Sequence, residues 1–123
     1  MGLPKNNRLK RWQDFRAIYQ HGNYFATPAL ILRALSDSDC HSVKFGISIS
    51  RKISKKAVIR NRIKRQIRSA LQILLPSLSS TWVMVIIVRP PALECKTEHF
   101  LRELEQLFIQ SGILYGHSRD GIL

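Results

Sequence analysis

Between Lys52 and Arg68 the chain reads KISKKAVIRNRIKRQIR, eight Lys or Arg residues in a stretch free of acids, and no Asp or Glu occurs between Asp39 and Glu94. A helix that only needs a solvated face mixes signs, because opposite charges at i,i+4 add stability and like charges remove it. A run that keeps its own repulsion points to negative charge supplied from outside the chain. At about 100° per residue, Ile59, Ile63, Ile67, Ala70 and Leu74 fall on one narrow stripe, while Arg60, Asn61, Arg62, Lys64, Arg65 and Arg68 take most of the remaining circumference. The stripe docks on the protein. The wide face carries guanidinium forks that hold phosphate at two points, and Asn61 among them offers a donor and an acceptor to a base edge, a 2′-hydroxyl or a phosphate. Such a face suits a polyanion with repeating phosphates.

Other chemistry finds little support in the residues. Cys40 and Cys95 are too far apart for a zinc site, which wants clustered ligands, and both are expected as reduced thiols. Cys40-His41 is the one adjacent pair of Cys and His, and His21, His99 and His117 are scattered. The eight acids lie outside the basic run and form no carboxylate pair for general acid and base work. With no Gly-rich phosphate loop, no Ser/His/Asp arrangement and no candidate nucleophile, no catalytic, cofactor-binding or metal-ligating residue is expected in this chain.

Composition bounds the partner. A chain of 123 residues with 45% hydrophobic content suits one folded domain, residues 1–123, so its net charge of +12 sits on a folded body. Charge of that size, with a pI near 10.6, points to nucleic acid first and to an anionic membrane surface second. No stretch reaches the ~18 apolar residues of a spanning helix, and MGLPKNNRLKR lacks the apolar centre of a signal peptide, so a cytoplasmic protein is expected.

The elements that must position the basic face follow an α+β order. Trp12, Phe15, Ile18 and Tyr19 predict a short helix over 12–21 that Gly22 stops. Residues 29–35 predict a strand, Ser36-Asp37-Ser38-Asp39 a polar turn, and 43–50 a second strand with Val43, Phe45, Ile47 and Ile49 on one face and Lys44, Gly46, Ser48 and Ser50 on the other. The basic helix ends near Pro76. WVMVIIVR, 82–89, is apolar on both faces and reads as a central strand. After Pro90-Pro91 a last helix is predicted over 98–110, with Thr97 as N-cap, Leu101, Leu104, Leu107 and Phe108 inward, and a loose tail from Ser111. Trp12 and Trp82 read as core, and Lys5, Arg8, Lys10 and Arg11 as a basic patch.

Two features stay open on the residues alone. Phe15 and Tyr19, at i,i+4, suit either core packing or a platform for stacking unpaired bases. Arg33, among Ile31 and Leu35 on one strand face, either reaches solvent at an edge or meets an anion.

The segment Ala57-Val58-Ile59-Arg60-Asn61-Arg62-Ile63-Lys64-Arg65 resembles the AVxRNRxKR signature of the protein subunit of bacterial ribonuclease P. The resemblance extends to Leu3-Pro4-Lys5, Arg8-Leu9-Lys10, Asp14-Phe15, Ile18-Tyr19, Gly22, Phe45-Gly46-Ile47-Ser48-Ile49-Ser50 and Arg89-Pro90, from Leu3 to about Gly112. One departure is the loop Arg51-Lys52-Ile53-Ser54-Lys55-Lys56, which lacks the family's Gly and is one residue longer.

The resemblance implies a single compact α+β domain of α-β-β-β-α-β-α order, with a small mixed sheet and a left-handed β-α-β crossover, similar to the second domain of a small-subunit ribosomal protein. It implies a monomeric RNA-binding subunit that helps a catalytic RNA remove the 5′ leader of precursor tRNA, with Mg2+ required by the holoenzyme and none held by the protein. RNA would meet Lys52, Lys56, Arg60, Asn61, Arg62, Lys64, Arg65 and Arg68. The leader would enter a cleft lined by Arg8, Phe15, Tyr19, Arg33, Ser48 and Ser50. Rival readings are a stand-alone RNA binder of ribosomal or chaperone type and a basic protein of membrane surfaces. The latter wants an exposed apolar face opposite the basic arc, whereas this stripe is narrow and needed for docking. Neither DNA nor membrane is an expected partner.

Overall fold

A four-stranded mixed sheet organises the chain, with three helices laid on it. The computed structural model describes residues 7–37, 42–78 and 81–114. Helix α1 (Trp12–His21) leads into strands β1 (Asn23–Ala26), β2 (Leu30–Ser36) and β3 (Lys44–Ser48). Helix α2 (Ala57–Leu74) then leads into strand β4 (Trp82–Val88), and helix α3 (Thr97–Ser111) follows a short 3-10 segment over Pro90–Glu94. The sheet order is β1-β2-β4-β3, with β4 antiparallel to β2 and parallel to β3. The unbroken apolar run of β4 thus occupies an interior position with both faces covered, as its composition requires.

Register decides what each helix covers. Phe45, Met84, Ala34 and Asn23 form one cross-strand row, and Ile47, Ile86, Leu32 and Phe25 the next row on the same face. This face packs against Ile63, Ile67, Ala70, Leu71 and Leu74 of α2 and Phe100, Leu104, Leu107 and Phe108 of α3. The rings of Phe45 and Phe108 meet at 6.3 Å between centroids. The opposite face holds the row Tyr24, Arg33, Val85 and Gly46 and the row Ala26, Ile31, Ile87 and Ser48. On that face α1 buries Ile18 against Val83, Val85 and Leu9.

Several expectations need correction. The basic run is not one helix: α2 starts at Ala57, so Lys52, Lys55 and Lys56 belong to the preceding loop. Strand β3 ends at Ser48, which leaves Ser50 in a turn whose Ile53 N–H donates to the Ser50 carbonyl at 3.0 Å. Strand β1 gave no signal in the residues, because three of its four side chains are exposed and alternation therefore has nothing to mark. The three-strand order implied by the resemblance did include it. Trp12 is not core; it is 65% exposed, while Trp82 does pack against the core.

Helix ends also differ from the expectation in their reasons. Gly22 closes α1 with φ −72°, so no left-handed turn calls for glycine there. The requirement is space, since a Cβ would stand 2.5 Å from the Ile18 carbonyl oxygen. Thr97 lies inside α3, and the N-cap is Lys96, whose N–H donates to His99 Nδ1 at 3.1 Å. Gly112, at φ 78°, is the left-handed C-cap of α3. The chain beyond it is not loose at once, for Ile113 and Leu114 are buried. Residues 115–123 of the expected loose tail, Lys5 of the basic patch and the Cys40-His41 pair lie outside the described residues.

Candidate nucleic-acid interface

Helix α2 forms because its apolar residues repeat at i, i+4, i+7, i+8 and i+11 from Ile63, and these five side chains are its buried set. Opposite them, Asn61 and Arg65 are exposed, beside Val58 at 72% exposure. Lys64 and Arg68 flank this arc half-buried. No acid stands in the first turn, so the positive end of the helix dipole adds to the side-chain charge instead of being offset.

Arg60 and Arg62 are less free than the wheel suggests. Arg60 Nη1 donates to the Ser54 carbonyl at 2.8 Å and ties the loop before α2 to its first turn. Arg62 Nη2 donates to the Leu93 carbonyl at 3.3 Å on the segment before α3, and its buried Nε has no hydrogen-bond partner. Both remain part of the positive surface, but each also fixes backbone. The loop itself is pinned by serines: Ser50 Oγ accepts the Lys52 N–H at 3.0 Å, and Ser54 Oγ accepts the Lys56 N–H at 3.2 Å. Among the described residues only Gly112 has a positive φ, so this loop takes its path without the glycine that the family pattern carries. Lys52 and Lys56 project from it, exposed.

The second surface lies between α1 and the sheet. Leu9 N–H donates to the Phe45 carbonyl at 2.8 Å, which holds the segment around Arg8 along the free edge of β3. Asn7 Nδ2 donates to the Val43 carbonyl at 2.7 Å and anchors it further. Phe15 rests on Gly46, where a Cβ would come within 2.5 Å of the ring. Tyr19, one turn on, is 43% exposed. The pair therefore splits: Phe15 is half-buried against the second core cluster, and Tyr19 offers its ring to solvent. Ser48 lies on the same sheet face as Gly46, as the alternation predicts, whereas Ser50 has left the strand.

Arg33 is also engaged by the protein's own backbone. Its Nη2 donates to the carbonyls of Tyr19 at 2.8 Å and Gly22 at 3.3 Å, placing a cation on the negative end of α1. The physical reason is that α1 crosses above β2, so its last carbonyls come within reach of a long side chain rising from the strand. Arg33 thus supports the cleft wall from beneath.

The two surfaces meet. A cleft of about 310 Å³ is lined by Arg8, Leu9, Phe15, Phe45, Gly46, Ile47 and Arg68. It therefore draws on α1, the N-terminal segment, β3 and α2 together, with two guanidinium-bearing chains and the ring of Phe15 around the Gly46 backbone, while the Phe45 ring packs on Phe108.

Among the described residues, the other candidate groups support no competing chemistry. Cys95 is a free thiol whose Sγ donates to the Pro91 carbonyl at 3.6 Å. Burial pushes its pKa up, and Glu103 and Glu94 push it further, so the unreactive protonated form is favoured. Among the described residues no three His, Cys, Asp or Glu are grouped to hold a metal ion, and no helix is long and apolar enough to cross a membrane.

Over nearly its whole length the chain is similar to known proteins. The ribonuclease P family model matches residues 3–112. The chain is 49% identical over 124 residues to the ribonuclease P protein component of a Synechocystis, with all of both sequences covered. It is 52% identical over 117 residues to that of a Picosynechococcus, covering 95% of this chain and 100% of the relative. A Staphylococcus aureus RNase P protein mutant superposes with a TM-score of 0.82 at 26% identity, over 89% of this chain and 92% of the other. The RNase P protein from Thermotoga maritima shares the fold, with a TM-score of 0.72 at 22% identity over 81% and 93% of the two chains. With the signature helix presenting Asn61 and Arg65 to solvent and the family match running through every described element, this chain belongs to the ribonuclease P protein family.

Proposed function

We propose that this chain is the RNA-binding subunit of a ribonuclease P holoenzyme. The exposed arc of α2, with Lys52 and Lys56 before it, binds the catalytic RNA, and the cleft between α1 and the sheet receives the single-stranded 5′ leader of precursor tRNA. Hydrolysis belongs to the RNA, which also holds the Mg2+ that the holoenzyme needs; no side chain of this protein is assigned to either task. In this reading the protein works in the cytoplasm as one copy per ribonucleoprotein.

The observation that carries the proposal is the shared cleft. Arg8 and Phe15 come from the surface assigned to the leader and Arg68 from the surface assigned to the catalytic RNA, yet all three line one space. A strand leaving the cleavage site can pass from one to the other without crossing uncharged ground. Cations support this passage by replacing counterions on phosphate, and the aromatic ring by stacking on any base.

The test is reconstitution with a ribonuclease P RNA. Protein alone should leave precursor tRNA intact, while its addition to the RNA should raise cleavage at low Mg2+, because the protein covers phosphates that otherwise need extra cations. A nuclease activity that survives removal of all RNA and vanishes on a single substitution in this chain would overturn the division of labour.

A further inference from the structure

Trp12 belongs to neither hydrophobic core cluster. It is the first residue of α1 and 65% exposed, although it is the largest apolar side chain of that helix. The helix docks through Ile18, which is fully buried and lies about 120° from Trp12 around the axis at 100° per residue. On the same wheel Trp12, Phe15 and Tyr19 fall within about 60° of one another, so three aromatic residues run along one edge of α1. Phe15 marks where that edge points, since its ring lies over Gly46 at the cleft.

The surroundings of Trp12 are basic. Lys10, Arg11 and Arg16 are exposed next to it in the chain or on the wheel, and Arg8 stands at the cleft. Asp14, at 3.4 Å from Arg11 Nε, is the acid close by. An exposed indole amid cations is poorly suited to a protein core and well suited to an unpaired base carrying its own phosphates.

We propose that Trp12 is a stacking platform for one further nucleotide of the leader, which makes α1 a rail of three aromatic residues rather than a pair. The inference rests on the assignment of the cleft to the leader and goes beyond it in residue and in footprint. Trp12 and Tyr19 are seven residues apart, about 10 Å along a helix axis. That distance corresponds to about three stacked nucleotides at ~3.4 Å each.

The experiment uses the reconstituted holoenzyme and precursor tRNAs whose leaders lengthen one nucleotide at a time, with mature tRNA as the leaderless control. Trp12→Ala should weaken binding by about five- to a hundredfold, the range of one lost stack, once the leader reaches a threshold length, and should leave mature tRNA binding unchanged. Trp12→Phe should recover most of the loss. Tyr19→Ala should show its own threshold, displaced from that of Trp12→Ala by about three nucleotides as the rise along α1 requires. A leader-dependent loss for Tyr19→Ala with none for Trp12→Ala would sink this inference and spare the cleft assignment. Leader-dependent affinity left unchanged in both variants would sink the cleft assignment itself. Equal weakening of precursor and mature tRNA by Trp12→Ala, or a lowered melting temperature, would mean that the indole meets the catalytic RNA or packs on the protein, and either result overturns the proposal.

Discussion

The ring of Phe15 rests directly on the backbone of Gly46: a Cβ added there would stand 2.5 Å from Cε1 and 2.7 Å from Cζ of the ring. One contact therefore sets both the height of α1 above β3 and the floor of the cleft. A larger residue at 46 has to push the ring aside, and a smaller one at 15 opens the cleft without disturbing the strand.

Gly46→Ala should accordingly cost about 1 to 3 kcal/mol of stability by overpacking and weaken precursor tRNA binding, with mature tRNA unaffected. Combining it with Phe15→Leu should recover stability by making room, yet leave leader binding impaired, because the stacking ring is gone. Thermal melts and two binding curves separate the outcomes. If the double variant regained leader binding, Phe15 would be a spacer rather than a stacking surface.

How much of this could be read from the residues follows from what each signal depends on. The basic helix, its buried stripe, the central strand and the span of α1 were legible because each is long or strongly periodic. Strand β1 was not, since an edge strand with mostly exposed side chains carries no alternation. The second role of Arg60 and Arg62 was hidden because a helical wheel shows direction but not the loops that come to meet a side chain: Ser54 and Leu93 are brought there by the fold. The helix-end role of Arg33 is hidden for the same reason, its partners being carbonyls of a helix packed above it. Trp12 reads as core on hydrophobicity alone, whereas its wheel position, far from Ile18, agrees with its exposure.

The arginines of α2 should therefore separate into two classes. Arg65→Ala should weaken holoenzyme assembly with no loss of stability, since that side chain is exposed and its removal relieves repulsion. Arg60→Ala and Arg62→Ala should weaken assembly and also lower stability by about 1 kcal/mol each through the lost hydrogen bonds to Ser54 and Leu93. Denaturant melts of the free protein beside RNA-binding curves make the distinction. Ile63→Ala provides the contrast, at ~2 to 5 kcal/mol for a fully buried side chain.

Arg33→Met should loosen the end of α1. Two charge-assisted bonds to the carbonyls of Tyr19 and Gly22 are lost, a change of about 1 to 3 kcal/mol. Hydrogen exchange should rise first in the last turn of α1, and leader binding should fall because Tyr19 is no longer held. A variant with unaltered melting and reduced affinity for both tRNAs would instead make Arg33 a direct phosphate ligand.

Cys95 supplies a pH prediction. Its pKa is raised by burial and by Glu103 and Glu94, so the folded state keeps the thiol proton to higher pH than the unfolded chain does. The associated stability is present at neutral pH and is lost as pH rises through the raised value. In a Cys40→Ser background, alkylation of Cys95 at mildly alkaline pH should be slower than that of an unfolded control and should accelerate on further alkalinisation. Rapid labelling at neutral pH would show a thiolate that this environment does not favour.

Salt should test the electrostatic reading as a whole. If roughly six phosphates are neutralised on assembly, counterion release makes affinity fall by about a thousandfold between 50 and 200 mM salt. The slope carries residue information as well. Arg65→Ala, which removes one exposed cation from the centre of the arc, should reduce the log–log slope by about one unit. Trp12→Ala should leave that slope unchanged, since a stacked ring releases no counterion. A flat response in the wild-type protein would remove the phosphate reading of α2, and equal slopes for wild type and Arg65→Ala would move the contact elsewhere on the helix.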